Sequence, residues 1–299
     1  MKGLIDFIQS NYDLNIKSVN IIYERGLKKY YKIQTDKRKF FLKNYGDNRE
    51  KVDRELYTIS ILNAHDYGIP YFRSKYNSAA VKYNNFYYVL YPYFEPFNIS
   101  KTKGYGKTAV KFWEVIDSCD VEIERTRNYF DNEEYNLCIE RCEKRIIQYF
   151  DKDKLKVLKK LSEMNSDKVE PGNYNIIHGD MSLNNMLFNG ECLVLIDYED
   201  VCRGDFYADI ATMVISFYSK SLIEECKLFL AELECIGKLV IDYEKLKKFI
   251  CYELMRSIIM ILVNNGVYLR LPRCREIIDV YICVIKQLNR MEEEYVFES

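Results

Sequence analysis

The sequence predicts an α+β fold in which an antiparallel sheet with one inserted helix precedes a mainly helical region. Short segments rich in β-branched and aromatic residues, bounded by turn residues, fill the first third of the chain. Segments with apolar residues at three- and four-residue steps fill most of the rest. Two prolines punctuate the chain at 91–98, so we expect an N-terminal lobe over residues 1–93 and a C-terminal lobe over 94–299.

The N-terminal lobe is predicted to be a five-stranded antiparallel sheet. After a short amphipathic helix near 2–10, the strands are expected at 19–23, 30–34, 39–43, 79–82 and 86–92. A helix over 48–64 is expected between the third and fourth strands, because its apolar residues repeat at helical spacing. The pair Asn84-Asn85 favours a tight turn between the last two strands.

The C-terminal lobe is predicted to be mostly helical, with one hairpin. Helices are expected near 107–124, 132–150, 152–164, 206–219, 221–236, 243–264 and 273–292. The hairpin is expected at 186–196, where Asn189-Gly190 supplies two residues that accept positive φ.

Composition excludes several classes of function. The 44 basic and 45 acidic residues leave a net charge of −1, without the basic footprint of a nucleic-acid-binding protein. No apolar stretch reaches membrane-spanning length, and Asp6 interrupts any signal-peptide core. The ten cysteines form no Cys-x-x-Cys pair, and with only two histidines we do not expect a His-based zinc site. We expect a cytoplasmic monomer or homodimer that binds neither nucleic acid nor membranes.

The run Ile-Ile-His-Gly-Asp-Met-Ser-Leu-Asn-Asn at 176–185 carries the strongest functional signal. Asp180 lies in a predicted loop, Asn185 follows five positions on, and Asp197 ends the apolar strand of the predicted hairpin. Phosphoryl transfer needs this set: one carboxylate to orient the attacking hydroxyl and accept its proton, and an amide and a second carboxylate to hold metal ions. A polar turn with capping residues explains one Asp or one Asn, but not the ordered set.

These motifs carry a resemblance to a known family. His-Gly-Asp-x-x-x-x-Asn at 178–185, Ile-Asp-Tyr-Glu at 196–199, and Gly-Asp followed by Asp-Ile-Ala within 204–211 resemble the aminoglycoside phosphotransferase and choline kinase family. The resemblance is strong over 176–211, fair over 18–98 and weak beyond 212. It implies a bilobal protein-kinase-like fold and an ATP-dependent (or GTP-dependent) phosphotransferase that uses Mg²⁺ and acts on an alcohol group.

The resemblance also implies roles for individual residues. Asp180 corresponds to the catalytic base, Asn185 and Asp197 to the metal ligands, and Asp209 to an aspartate that braces the loops. Lys43, at a strand end, corresponds to the lysine that contacts the nucleotide phosphates and pairs with a helix glutamate. Glu55 is the first candidate for that partner and Glu50 the second; an ordinary surface Lys and Glu is the alternative.

Other nucleotide contacts are expected from position alone. Gly26 and Lys28 lie between the first two predicted strands, where a loop over phosphates is expected, although a solvated turn explains them equally well. Tyr91 and Tyr93 lie in the segment that resembles the hinge, whose backbone binds the adenine edge.

The acceptor is expected to be a small, cationic molecule. Only about ten residues separate Asp197 from the Asp209 helix, which leaves no room for the peptide-docking segment of a protein kinase. Glu199, Asp200 and Glu253 are candidates for binding a choline-like, ethanolamine-like or aminoglycoside-like acceptor. The alternative is a catalytically quiet structural relative of the spore-coat-associated type, which would have no need to keep Asp180, Asn185, Asp197 and Lys43 together.

Overall fold

The computed structural model describes residues 2–25, 28–95, 103–119, 122–127, 132–164, 175–188, 191–237 and 239–295. The chain divides into two compact units, each assembled from separate segments. The sheet unit comprises Met1–Ile99, Thr108–Glu122 and Asn184–Val201, and the helical unit comprises Ser100–Lys107, Ile123–Leu183 and Cys202–Ser299. The division into lobes at residues 93 and 94 stays a prediction about domains.

The first seven elements all belong to the sheet unit. They are α1 (Lys2–Tyr12), β1 (Ile16–Arg25), β2 (Lys28–Thr35), β3 (Lys39–Asn44), α2 (Arg49–Ala64), β4 (Val81–Tyr83) and β5 (Phe86–Pro92). The five strands form one sheet in the order β1-β2-β3-β5-β4, and every neighbouring pair is antiparallel. The predicted five-stranded antiparallel sheet with one inserted helix is confirmed.

The β4–β5 hairpin turns at the predicted Asn-Asn pair. Asn84 and Asn85 have φ angles of 47° and 67°, and Tyr83 pairs with Phe86 across the turn. Asn tolerates left-handed backbone better than most residues, which is why a tight turn selects it. One face of the sheet packs against α1 in an apolar core, to which α1 contributes Ile8 and β3 contributes Leu42.

Helix α2 carries a carboxylate on its buried face. The Asn48 side chain caps the helix by accepting a hydrogen bond from the Lys51 N–H at 3.0 Å. Most residues on the buried face are apolar, as helical periodicity requires, but Glu55 is also buried there, at 1% exposed. A carboxylate in such a place needs a charged or hydrogen-bonding partner.

The remaining elements follow in chain order. They are α3 (Tyr105–Asp117), α4 (Asn132–Tyr149), α5 (Lys152–Glu163), β6 (Asn175–Ile177), β7 (Met186–Phe188), β8 (Leu193–Leu195), β9 (Cys202–Gly204), α6 (Tyr207–Ser219), α7 (Ile223–Gly237), α8 (Tyr243–Gly266) and α9 (Pro272–Tyr295). The β7–β8 hairpin belongs to the sheet unit, and the β6–β9 pair belongs to the helical unit.

Helix α6 forms the centre of the helical unit. It is buried along most of its length and packs against α7, α8 and α9. In the part of the chain that the structure describes, every helix is too short or too polar to cross a membrane.

The helix predicted near 107–124 is shorter than expected. It ends at Asp117, and Thr126 instead bridges Arg203 of β9 in parallel. The Arg127 N–H donates to the Arg203 carbonyl at 2.8 Å, and the Arg203 N–H donates to the Arg125 carbonyl at 2.7 Å. Pairing with β9 satisfies these backbone groups, so tertiary context overrides the local pattern that extended the helix to 124.

Candidate active site

The β7–β8 hairpin brings two predicted metal ligands to the same end. Met186 pairs with Leu195, so Asn185 and Ile196 are the next residues on each side. The Ile196 N–H donates to the Asn185 carbonyl at 2.9 Å, which places Asn185 beside the peptide that leads into Asp197. The Asn189-Gly190 pair that predicted this hairpin lies outside the described residues.

Asp197 adopts a backbone conformation that is uncommon for a residue with a side chain. Its φ and ψ are 66° and 58°, in the left-handed region, immediately before the short 3₁₀ turn Tyr198–Asp200. Asp accepts this region more readily than most residues. Backbone held there by its surroundings is typical of functional sites.

Lys43 lies at the centre of a buried charge cluster in the sheet unit. Its Nζ is 2.5 Å from Glu55 Oε2, 2.5 Å from Asp197 Oδ1 and 3.8 Å from Glu199 Oε2. Burial alone would lower the pKa of Lys43, but the three carboxylates outweigh it and raise the pKa well above its ordinary value. Lys43 therefore stays charged.

The structure also shows which of the two candidate glutamates pairs with Lys43. Glu55 binds Lys43 from the buried face of α2, whereas the Glu50 side chain is 78% exposed and binds Arg54.

Three carboxylates of the cluster are arranged as metal ligands could be. One oxygen each of Glu55, Asp197 and Glu199 lies within 4.8 Å of the others. Carboxylate and amide oxygens are the ligands that Mg²⁺ prefers, so the donor set fits this ion. Asn185 lines the same cavity as Asp197 and adds an amide oxygen to the set.

Helix α2 holds the turn that follows Asp197. Lys51 Nζ lies 3.0 Å from Glu199 Oε1 and 3.6 Å from Asp200 Oδ1. The Arg54 guanidinium donates to the Glu199 carbonyl at 2.6 Å. The sequence analysis did not identify Lys51 and Arg54; the signal was two basic side chains three residues apart on a helix that also carries Glu55.

The other side of this turn is packed by α3. The Phe112 ring stacks on the Tyr198 ring at a centroid distance of 5.9 Å, and the Tyr198 hydroxyl donates to the Leu195 carbonyl at 2.5 Å. The next residue of α3, Trp113, is buried and is the single tryptophan of the chain.

A cavity of about 280 Å³ opens onto the charge cluster within the sheet unit. Its polar lining residues are Lys43, Glu55, Asn184, Asn185 and Asp197. Its apolar and aromatic lining residues are Ile22, Tyr30, Phe41, Ile69, Tyr91, Pro92, Tyr93, Phe94, Leu187 and Ile196. A largely apolar cavity with a few convergent charged groups is typical of small-ligand sites.

Two tyrosines link one wall of the cavity to the charge cluster. The Tyr91 hydroxyl donates to Glu55 Oε1 at 3.2 Å, and the Tyr45 and Tyr91 hydroxyls are 2.7 Å apart. Burial raises the pKa values of both tyrosines well above the ordinary value, so both keep their protons and can donate. Burial also raises the pKa of Glu55, against the opposing charge of Lys43.

The other predicted nucleotide contacts fall partly outside what is described. Tyr93 lines the cavity, while its N–H donates to the Lys39 carbonyl at 3.3 Å. Gly26 lies outside the described residues, and Lys28 begins β2 with a side chain that also lies outside them. Their predicted role at the phosphates stays a prediction.

In the helical unit, Asp180 follows a loop whose amides are held by Asp209. Gly179 has a φ of 82°, a conformation that favours glycine. The His178 and Gly179 N–H groups donate to the two carboxylate oxygens of Asp209 at 2.8 and 2.9 Å. The Asp180 N–H donates to His178 Nδ1 at 3.3 Å. This is the bracing arrangement expected for Asp209.

Glu253 is engaged elsewhere in the helical unit. It is 3% exposed, and its two oxygens bind the Arg127 guanidinium at 3.0 and 2.5 Å; Arg256 Nε also lies 3.1 Å from it. Burial alone would raise the pKa of Glu253, but the two arginines outweigh it and lower the pKa below its ordinary value. Arg127 also donates to the Gly179 carbonyl at 2.6 Å. Sequence reasoning missed Arg127, since no motif marks it.

A sequence profile of the phosphotransferase enzyme family matches residues 27–249. The chain belongs to this family. Asp180, Asn185 and Asp197 all lie within the matched range. A comparison with curated proteins gives no match.

Solved structures share the fold of this family member at low sequence identity. The spectinomycin phosphotransferase APH(9)-Ia, in complex with ADP and spectinomycin, is 15% identical with a TM-score of 0.71, covering 95% of this chain and 96% of that one. The microcompartment-associated aminopropanol kinase is 13% identical with a TM-score of 0.69, covering 98% of each chain. Choline kinase LicA from Streptococcus pneumoniae is 17% identical with a TM-score of 0.57, covering 91% and 97%. At these identities the likeness shows the protein-kinase-like fold.

Proposed function

We propose that the protein is an ATP-dependent phosphotransferase that phosphorylates a hydroxyl group of a small, cationic molecule. The observation that carries the proposal is the cluster in which Lys43 bridges Glu55 and Asp197 beside a largely aromatic cavity. A buried lysine held between a helix carboxylate and a strand-end carboxylate has the parts that phosphoryl transfer requires.

The cavity is the proposed nucleotide site. Its aromatic lining offers flat surfaces for a purine base, and Lys43 supplies positive charge for phosphates at the same cavity. The solved complex of spectinomycin phosphotransferase with ADP supports a nucleotide in this fold. ATP is the proposed donor and GTP the second choice.

Asn185 and Asp197 are the proposed ligands of Mg²⁺, and Glu199 provides a further carboxylate next to them. When bound, the ion would neutralise charge on the phosphates. The chain's own contribution is to hold the ligands in place: the hairpin fixes Asn185, and α2 fixes the turn after Asp197 through Lys51 and Arg54.

Asp180 is the proposed catalytic base. Its carboxylate would orient the acceptor hydroxyl and accept its proton during transfer. Asp209 fixes the two amides before it, so that the loop keeps one conformation.

The cationic nature of the acceptor is supported by chemistry shared among the structural neighbours. Aminopropanol and choline, named in two of them, each combine a hydroxyl with a nitrogen that is or becomes positively charged. The acceptor-binding role of Glu199, Asp200 and Glu253 stays a prediction. In the structure all three pair with basic side chains of the chain itself, an arrangement that does not favour that role.

The first test is the effect of Mg²⁺–ATP on thermal stability. A ligand at a concentration of 100 times its Kd stabilises the folded state by about 2.7 kcal/mol, so Mg²⁺–ATP should raise the Tm of the wild type. Asp197→Ala should abolish that rise, because it removes a metal ligand and a partner of Lys43. Asp53→Ala, which removes an exposed carboxylate paired with Arg49, is the control and should keep it.

A phosphate-transfer screen over choline, ethanolamine, amino sugars, aminoglycosides and sugars identifies the acceptor. We expect transfer to a compound that carries a positive charge. A wild type that shows neither a Tm rise with Mg²⁺–ATP nor transfer to any acceptor would refute the proposal in favour of a quiet structural relative.

The second test separates binding from chemistry at Asp180. Asp180→Asn should keep the Tm rise with Mg²⁺–ATP but lower kcat by about 100-fold or more, since a positioned base contributes that much. Steady-state kinetics with the acceptor found by the screen give the result. Full activity in this variant would show that Asp180 is not the base.

A further inference from the structure

We propose that Arg127, held by Glu253, is a positioning residue that fixes the peptide between Gly179 and Asp180 and thereby aims the Asp180 carboxylate. The inference rests on the proposed function, in which Asp180 is the base. Arg127, Gly179, Asp180 and Glu253 all belong to the helical unit.

All three nitrogens of the Arg127 guanidinium group donate hydrogen bonds. Nε and one terminal nitrogen of Arg127 bind the two oxygens of Glu253 at 3.0 and 2.5 Å, and the other terminal nitrogen donates to the Gly179 carbonyl at 2.6 Å. A bidentate pair leaves a planar guanidinium one orientation, so the third donor points in a fixed direction. Lysine has no such fork and could not reproduce the arrangement.

The position of Arg127 is itself fixed from the backbone. Its N–H donates to the Arg203 carbonyl at 2.8 Å, and the Arg203 side chain donates to the Ile123 carbonyl at 2.9 Å. Strand β9 therefore supports the segment that carries Arg127, and β9 also pairs with β6, the strand that leads into His178.

The contacts of Arg127 complete those that Asp209 makes to the loop. Asp209 holds the N–H groups of His178 and Gly179, and His178 Nδ1 accepts from the Asp180 N–H. The Gly179 carbonyl is the remaining polar group of that peptide, and Arg127 holds it. Because glycine permits many backbone conformations, a peptide that follows Gly179 would be free to rotate if one side were released.

Stability is a poor explanation for this pair. Both side chains are nearly fully buried, at 5% and 4% exposed, where the cost of removing two charges from water offsets most of their attraction. Apolar residues of similar size often replace such pairs without loss of stability. The pair is better explained by the geometry that it imposes on the loop.

The main experiment compares the wild type with the double variant Arg127→Met, Glu253→Met. We expect a folded protein whose Tm is lowered by a few degrees, because the Gly179 carbonyl loses its donor, and an unchanged Tm rise with Mg²⁺–ATP. We also expect kcat to fall by about 100-fold, as for a misplaced catalytic group, with little change in the KM for the nucleotide. The double variant Lys154→Met, Asp279→Met, which removes a partly exposed ion pair between α5 and α9 of the same unit, is the control and should keep the wild-type kcat.

A second variant covers the case in which the double variant does not fold. Arg127→Lys keeps a positive charge beside Glu253 but loses the fork, and we expect it to fold with kcat lowered by about tenfold or more. Wild-type kcat in either variant, measured below its Tm, would overturn the proposal and leave the pair a structural role only.

Hydrogen–deuterium exchange gives a readout that does not depend on activity. The segment 176–183 should exchange faster in both Arg127 variants, while α5 should exchange as in the wild type. Unchanged protection of 176–183 would overturn the proposal. If the wild type transfers phosphate to no acceptor, the proposed function fails, yet exchange still decides whether Arg127 holds the loop.

Discussion

At the scale of single residues, Lys43 shows how burial makes a charge dependent on its partners. The side chain is 4% exposed, and its ammonium group lies among three carboxylates rather than in water. Loss of one partner therefore changes the position of the ammonium group as well as its energy.

Glu55 and Glu50 offer a matched pair for testing this cluster. Glu55→Gln should weaken nucleotide binding by about tenfold or more, because it removes a charged hydrogen bond that holds Lys43. Glu50→Gln, on the same helix but exposed, should leave binding unchanged. The concentration of Mg²⁺–ATP that gives half of the Tm rise measures both. Equal effects of the two substitutions would show that the Lys43–Glu55 pair does not serve the nucleotide.

The sequence identified some site residues and missed others for a physical reason. Asp180, Asn185 and Asp197 lie within 18 positions of one another, and their spacing carries the chemistry. Arg127 lies 52 positions before Gly179, and its partner Glu253 lies 126 positions after Arg127. Such contacts arise only when β9 and α8 are packed, and one sequence carries no trace of them.

At the scale of elements, side chains of α2 bind the turn Tyr198–Asp200 directly. Lys51 and Arg54 reach that turn from one face of the helix, and Phe112 stacks on Tyr198 from α3. The conformation of Asp197 is thus set by elements on both sides of it.

Arg54 is the residue of α2 whose loss should be most costly at this contact. Arg54→Met would leave the Glu199 carbonyl without this donor and should destabilise the protein by about 1–3 kcal/mol. Arg49→Met, which breaks an exposed pair on the same helix, should change stability by less than about 0.5 kcal/mol. Urea unfolding curves give both values, and equal small effects would show that the contact contributes little.

Local patterns predicted most elements but not every boundary. The Asn84-Asn85 turn and the strands around it follow from residue types that act over a few positions. The prediction that α3 extends to residue 124 was wrong. The backbone of Arg125 and Arg127 instead forms hydrogen bonds with Arg203 of β9, about 76 positions after Arg127.

At the scale of the whole molecule, the family's fold persists although only 13–17% of residues are identical to those of the spectinomycin phosphotransferase, the aminopropanol kinase and the choline kinase. A fold can persist at such identities because apolar residues exchange within cores as long as total volume and hydrophobic pattern are kept.

The stability of the whole protein should depend on pH through Glu253. Its pKa is lower in the folded than in the unfolded protein, so its contribution is present above the unfolded pKa of about 4.3 and is lost as pH falls through the folded pKa. Each pKa unit of this difference corresponds to about 1.4 kcal/mol. Glu253→Gln should therefore lose less stability than the wild type on acidification below about pH 4.3.

Urea unfolding at neutral and acidic pH measures this dependence. Glu224→Gln, which removes an exposed carboxylate, should follow the wild type at both. Parallel losses in the wild type and Glu253→Gln would contradict a lowered pKa at Glu253.

The packing of α3 also gives the protein a built-in optical reporter. Trp113 is the one tryptophan, so indole fluorescence comes from a single residue, which follows Phe112 in α3; the Phe112 ring stacks on Tyr198, the residue after Asp197. Excitation at the red edge of indole absorption avoids the 27 tyrosines. We expect titrations of nucleotide or magnesium to change the emission of the unlabelled protein, which would report binding without an acceptor or a coupled assay.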